Sequence, residues 1–429
     1  MRVISLITEQ RFTKQVGLTL ITQVISVLIS VSTAAIIARW LGPEGKGTLT
    51  LALLVPGMLV LILSGGIGIA NVYFAGSKRL TVSTLTGNSL SFTLMATTLA
   101  LIIVVGLSVT KLLETIVPGI PAWILLIAML GFPTALLSRF FSSILQGLQR
   151  IATINVINLI QSILTLSLTA VFVVVWKLNL LGALVAPLAT GVLSLIFLCI
   201  ILRQEGGVFR PLWKYTVVRS TLSFGLRGHI GNLLQFFNYR LDMFILNYFL
   251  GPANVGIYIV SVRLVELLWH LPNSVSFVIF PKAAATRPEE MNAFTPRVFG
   301  ITLGLTALGA LGLALVGRPI INFVFSSAFI SAYVPMLVLL PGVVLLGGAK
   351  VLTNEIAGRG YPHYNSVNAG LALVLTVVLD LVLIPRYSVL GAALASSIAY
   401  TAIFLASIGF YLAVSRKAKA QSCIDFSTI

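Results

Sequence analysis

Charged side chains are scarce in this chain. Of 429 residues only 9% are charged, with 11 acidic against 28 basic. Soluble domains carry about 25% charged residues, so this chain has too little charge to cover a folded surface facing water. Cysteine is nearly absent too. Cys199 lies inside an apolar run and Cys423 in the tail, which argues against a disulfide framework. No H-E-x-x-H, C-x-x-C or Walker lysine loop occurs. The stretch "GGIGIA" (65–70) has the glycines of a dinucleotide fingerprint, but no strand precedes it. With no catalytic or metal-ligating constellation, neither an enzyme nor a cofactor-dependent protein is expected, and no metal site is assigned. The alternating segments that build membrane β-barrels are missing as well, because the apolar runs are continuous.

What remains is hydrocarbon. The chain is 58% hydrophobic, with a mean hydropathy of +1.05. Inside a bilayer every backbone polar group must be satisfied within its own segment, which leaves α-helices. The expected fold class is an all-α polytopic membrane protein. The first apolar run, Val16 to Ala38, is too long for the h-region of a cleaved signal peptide and lacks a small-x-small site. A net charge of +17 invites a nucleic-acid reading. Basic residues gathering on cytoplasmic loops explain it better, and no nucleic-acid partner is expected.

Breaks at Gly, Pro and charged clusters give twelve candidate spans. In the first half they lie near 14–38, 48–75, 84–109, 120–146, 152–175 and 179–202. In the second they lie near 218–248, 254–280, 295–317, 332–355, 362–384 and 388–414. The longest hydrophilic link, "RQEGGVFRPLWKY" (203–215), falls between spans six and seven. The expected division is an N-lobe over 1–203, a cytoplasmic linker over 204–215 and a C-lobe with a basic tail over 216–429. With the N-terminus inside, 17 Lys and Arg fall on inner flanks against 7 on outer flanks, Arg240 among the latter. The positive-inside rule then predicts a multi-pass protein of the inner or plasma membrane with both termini cytoplasmic.

A short turn is written twice. Leu41-Gly42-Pro43 in "ARWLGPEGKG" returns as Leu250-Gly251-Pro252, an offset of 209. "LLGALVA" (180–186) echoes "VLGAALA" (389–395) at the same offset, and "NVIN" (155–158) echoes "NSVN" (365–368) at 210. Gly147 and Gly358 pair at 211. Four matches in one order at nearly constant offset predict an internal duplication into two parallel six-helix repeats. In such transporters the ligand site is expected at the repeat interface.

Polar residues form stripes inside the spans. Span one carries Arg11, Gln15, Thr19, Thr22, Ser26, Ser30 and Thr33 on one helical face. Close packing of small residues explains the hydroxyls, and Arg11 at the head tilts the stripe toward a wetted wall. Span seven carries Arg227, Gly231, Gln235, Asn238 and Asp242 on one face, with His229 and Arg240 on the other. Such a face is costly against lipid and is expected to line an interior or a water-filled cavity. Asp242 is expected to pair with a neighbouring cation. Span eight repeats the theme with Arg263, Glu266, His270 and Asn273. An internal Arg263–Glu266 pair and a site role weigh evenly there. Lys350 and Glu355 read as interfacial residues that snorkel, Asp380 as a partner of Arg386, and Arg139 as a snorkelling residue. The membrane-depth cations outnumber the carboxylates that could offset them. A cationic, partly desolvated cavity suits an anion, and guanidinium suits phosphate oxygens.

The chain resembles the polysaccharide transporter (O-antigen flippase) family of the multidrug/oligosaccharidyl-lipid/polysaccharide exporter superfamily. The resemblance rests on "ARWLGPEGKGTLTLAL", "NYRLDMFILNYFLGPANVGIY", "SVRLVELLWHLPNSVSFVIFP", "LTNEIAGRGYP" and "LIPRYSVLGAALA", and spans residues 10–415. It implies a V-shaped pair of six-helix lobes. It also implies a flippase that carries a lipid-linked oligosaccharide, of the undecaprenyl-diphosphate type, from the cytoplasmic to the outer leaflet. Expected partners are that substrate, membrane lipids, and the polymerase and glycosyltransferases of the same pathway. Carried onto this sequence, the diphosphate candidates are Arg227 and Arg263, with Arg11 and Lys14 at the cytoplasmic mouth. Gln235, Asn238, Glu266, His270 and Asn273 complete the predicted cavity. A multidrug or cation antiporter and a lipid II-type flippase of the same superfamily are the alternatives. The antiporter would call for an acidic first lobe, which is missing. A glycan polymerase or ligase would need a large outer loop, and none is present.

Overall fold

The computed structural model describes residues 2–426, with side chains for 22–226 and 228–416. Among the described residues there is no strand, as the continuous apolar runs require. Among the described residues, twelve long helices follow the predicted spans. They are α1 (2–41), α2 (43–63), α3 (Val82–Val109), α4 (Ala122–Gly147), α5 (Ile151–Val175) and α6 (Asn179–Gln204). Then come α7 (Tyr215–Leu250), α8 (Pro252–Ala285), α9 (Pro288–Phe325), α10 (Tyr333–Gly358), α11 (His363–Tyr387) and α12 (Val389–Phe426). A short apolar helix, Ile67–Gly76, continues α2. Ten stretches among the described residues are long and apolar enough to cross a membrane. That count joins α1 to α2 and omits α7, the helix that carries Arg219, Arg227, Arg240 and Asp242.

The duplicated turn has one geometry in both places. Gly42 stands at φ 67°, ψ −174°, and Gly251 at φ 78°, ψ 175°. This region is essentially closed to any residue with a Cβ. The proline that follows has its φ already set for a first helical turn and lacks only an N–H that would go unused. Other echoes are equally concrete. Asn179 (φ 48°) and Ser388 (φ 58°), again 209 apart, both stand in the left-handed region at the entry to α6 and α12. Gly147 ends α4 against the Val72 carbonyl, where an added Cβ would lie 2.6 Å from the oxygen. Gly358 ends α10 against the Phe280 carbonyl. The two contacts join corresponding helices in the two halves, so the periodicity of the sequence is a periodicity of packing.

The chain divides into two compact units, residues 1–230 and 231–429. The division falls inside α7, a little beyond the hydrophilic link that leaves the helical state over 205–214. The first half of α7 belongs to unit one. Asn88 Nδ2 of α3 donates to Thr221 Oγ1 at 3.4 Å, and the backbone of Gly225 meets that of Gly66. Unit one is closed by Leu85, Phe141, Ile144, Leu145 and Leu202 from α3, α4 and α6. In unit two, Ile279, Ala283, Met291 and Val351 pack together from α8, α9 and α10.

These contacts predict the effect of added methyl groups. Gly358→Ala drives a Cβ onto backbone, and Gly251→Ala forces strain with nothing in its way. Each is expected to lower stability by roughly 1–3 kcal/mol. Gly370→Ala, inside α11 with nothing within 4 Å, is the control and should be neutral or stabilising. Thermal unfolding of the detergent-solubilised protein reads all three. Equal melting temperatures for the three variants would refute the packing account.

Candidate functional site

α8 is not one uninterrupted helix. An α-helical stretch, Pro252–Glu266, passes through a single 3-10 turn, Leu267–Trp269, before resuming at His270. Pro272 explains the change, since its ring crowds the carbonyl four residues back and it has no N–H to donate there. Two charged residues, Arg263 and Glu266, stand just before the turn, and His270 and Asn273 just after it.

The turn at Gly251 lays α7 beside α8, so residues at similar distances from it become neighbours. Arg240 and Arg263 stand eleven and twelve residues to either side. Glu266 reaches both of them. Its Oε1 lies 2.9 Å from Arg240 Nη2 and its Oε2 3.2 Å from Arg263 Nη1. The Glu266 and Arg240 side chains are 13% and 18% exposed, whereas Arg263 is 61% exposed. A third cation comes from α10. Lys350 Nζ donates to Asn273 Oδ1 at 2.9 Å and lies 4.2 Å from the centre of the Trp269 ring. Behind the charges stand three packed rings. Tyr239 and Trp269 have centroids 5.1 Å apart, and Tyr400 sits 6.1 Å and 6.2 Å from the two. Two guanidinium groups thus share one carboxylate, with a third cation held on the neighbouring Asn273 and Trp269 and with Arg263 largely exposed. Such a group offers planar and point-charge donors to an anion with more than one oxygen.

The span-eight stripe is therefore brought together, with Arg263, His270 and Asn273 exposed and Glu266 half-buried beside them. The internal Arg263–Glu266 pair is present. Arg240, placed by helical periodicity on the far side of α7 and counted as an outer-flank residue, is instead the second partner of Glu266. α8 lies on that side of α7. Lys350 does not snorkel. It is held by Asn273 and Trp269, a neighbourhood 77 residues away that no spacing rule could reach. Its signal in the sequence was isolation within an apolar run.

The span-seven stripe divides. Gln235 is exposed and donates to Tyr239 Oη at 3.4 Å. Asn238 is 3% exposed, and its oxygen accepts from Thr376 Oγ1 of α11 at 2.9 Å. The calls on Arg11, Lys14 and Arg227 fall on side chains outside the described residues. In span one, Ser30 and Thr33 turn their hydroxyls onto their own helix, to the carbonyls of Val27 and Ile29. Arg139 is exposed on α4.

Three further expectations are corrected. Asp242 finds no cation within ion-pair distance among the described residues. It accepts from Tyr258 Oη at 2.7 Å and from the Met243 amide at 2.8 Å. Asp380 does not pair with Arg386, for it is fully buried and neither oxygen has a hydrogen-bond partner. Arg386 is exposed. Glu355 is fully buried and ion-paired with Arg359 one turn along α10, and Arg359 Nη2 also donates to Asn292 Oδ1 at 2.9 Å. Only the Asp242 partner was set by which helices pack together; Glu355 has its cation at i+4, and Asp380 is enclosed without a hydrogen-bond partner.

Comparison with known proteins places these features in a family. A family model described as "Polysaccharide biosynthesis protein" matches residues 12–286. The probable flippase AglR of Haloferax volcanii is 29% identical over 47% of this chain and 42% of its own length. A putative O-antigen transporter of Shigella flexneri is 22% identical over 87% of this chain and 91% of its own. The chain spans about half the length of the first curated relatives it matches. Among solved structures, a lipid II flippase, MurJ, in an inward closed conformation superposes with a TM-score of 0.78. It is 16% identical, and the match covers 96% of this chain and 92% of that one. At that identity the likeness concerns the fold.

The buried acids differ in what they can lose. Glu355→Gln breaks a buried ion pair and strands Arg359, at a cost of about 3–5 kcal/mol. Tyr258→Phe removes the hydrogen bond to buried Asp242, at about 1–3 kcal/mol. Asp380→Asn keeps the shape and removes a carboxyl without partners, so the melting temperature should hold or rise. A fall for Asp380→Asn as large as that for Glu355→Gln would contradict this ranking.

Proposed function

The chain belongs to the polysaccharide biosynthesis protein family, and we propose that it is a flippase for a lipid-linked oligosaccharide carried on a polyprenyl diphosphate. The observation that supports this reading most is the cluster in unit two, where Arg240 and Arg263 share the Glu266 carboxylate and Lys350 is held close by on Asn273 and Trp269. A sugar head cannot cross hydrocarbon, since each unpaired polar group costs several kcal/mol there. A wetted wall removes that barrier while the lipid tail remains in the bilayer. The diphosphate is the one feature common to such substrates whatever their sugar, and cationic forks are its natural holders. Alternating exposure of the cluster to the two membrane faces then carries the head across. The inner leaflet is the expected origin, with both termini cytoplasmic. An inside-negative potential favours outward movement of an anion by roughly 2.3 kcal/mol per charge per 100 mV.

A second reading is a cation-coupled antiporter. The observation that favours it is the pair of buried carboxylates in unit two, Asp242 and Asp380. Export assays separate the two readings, because a drug antiporter leaves surface glycan untouched when disabled.

The test is export in cells that depend on this chain. Arg240→Ala, Arg263→Ala and Arg227→Ala, each at wild-type abundance, are expected to cut surface glycan about tenfold or more. That is the scale of losing one charge-assisted hydrogen bond. Lipid-linked oligosaccharide should accumulate on the inner leaflet. Arg318→Ala, an exposed arginine at the far end of α9, should export normally. Wild-type export by Arg240→Ala and Arg263→Ala would end the anion-site reading.

A further inference from the structure

We propose that Glu266 is a built-in counter-anion, holding the arginine clamp when the substrate's diphosphate is absent and competing with it when present. This rests on reading the cluster as an anion site. Both carboxylate oxygens are engaged, one by each guanidinium. Those two contacts are the ones a pair of phosphate oxygens would make. The carboxylate is mostly buried, and so is Arg240, so the pair is only weakly screened by water. It is also not needed merely to neutralise Arg263, which is largely exposed.

The surrounding groups set the direction of the effect. Lys350 is held on Asn273 and Trp269 rather than on Glu266, and Arg240 Nη1 donates to the Tyr239 carbonyl at 3.3 Å. Asp242 is turned away, onto Tyr258 and the Met243 amide. Glu266 is therefore the one carboxylate among the described residues in ion-pair contact with these arginines. An incoming anion either displaces it or binds beside it, and both routes weaken binding. With Glu266 neutralised, three cations would face the ligand unopposed, and release would become the slow step. A transporter needs a site that binds well enough to load and loosely enough to unload. Glu266 meets that need without any other ligand, since the carboxylate returns to the clamp as the anion leaves.

Inorganic pyrophosphate is the probe, titrated calorimetrically onto the full-length protein in nanodiscs of neutral phosphatidylcholine. Glu266→Gln should bind it about tenfold more tightly than wild type, equivalent to about 1.4 kcal/mol. Its dissociation, followed by stopped-flow tryptophan fluorescence, should slow in proportion. Glu266→Asp keeps the charge but is one methylene too short to span both arginines, and should fall between the two. In flipping assays with a short polyprenyl diphosphate-linked sugar, Glu266→Gln should lower KM and kcat together. A residue that only holds the fold would instead weaken binding. If wild type binds pyrophosphate and neither variant binds it more tightly, the counter-anion role is wrong and the anion site stands. If no form binds pyrophosphate, the anion site itself fails. Should Glu266→Gln not fold, Glu266→Asp alone decides, since unchanged or weaker affinity there overturns the proposal.

Discussion

Hydrocarbon offers no hydrogen bonds, and that single constraint orders the rest of the molecule. Each polar group at membrane depth has to find its partner within the protein. Most do so quietly. Asn71 donates to Ser89 and to the Phe140 carbonyl, Asn368 to Ser407 and the Ile403 carbonyl, and Glu355 closes on Arg359. Side chains absorbed in this way knit helices together. The cluster around Glu266 stands apart, because its charges remain partly open after every internal bond has been made.

The same constraint explains what could be read from the sequence. Span positions and the all-helical class follow from unbroken apolar runs and their Gly-Pro interruptions, which act within a few residues. The duplication was legible for a related reason. Gly42 and Gly251 occupy backbone conformations almost closed to other residues, so the sequence had little freedom to disguise them. Side-chain partners were less legible. Helical periodicity grouped Asn238 with Asp242 correctly, but it could not say that α11 and Tyr258 would cover them. It placed Arg240 on the face away from the stripe and could not say that Glu266 of α8 would pair with it there. Lys350 joins its partners through packing of α10 on α8, a fact of tertiary structure alone.

The two units share turns and glycine contacts, but not charge. Among the described residues, unit one has a single ion pair, Arg150–Glu205, while unit two holds Arg240–Glu266, Arg263–Glu266 and Arg359–Glu355. The break in α8 at Leu267–Trp269 falls at the centre of the charged cluster. Among the described residues, the two repeats share a scaffold and the second holds most of the ion pairs.

The excess of positive charge has an electrical consequence as well. Arg240, Arg263 and Lys350 outweigh Glu266, and fixed cations within a bilayer raise the energy of any small cation that approaches. If the cluster lines a wetted passage, as proposed, that water would conduct sodium and protons poorly. On that proposal, the side chains that attract an anion would also insulate the cell's ion gradients from the passage.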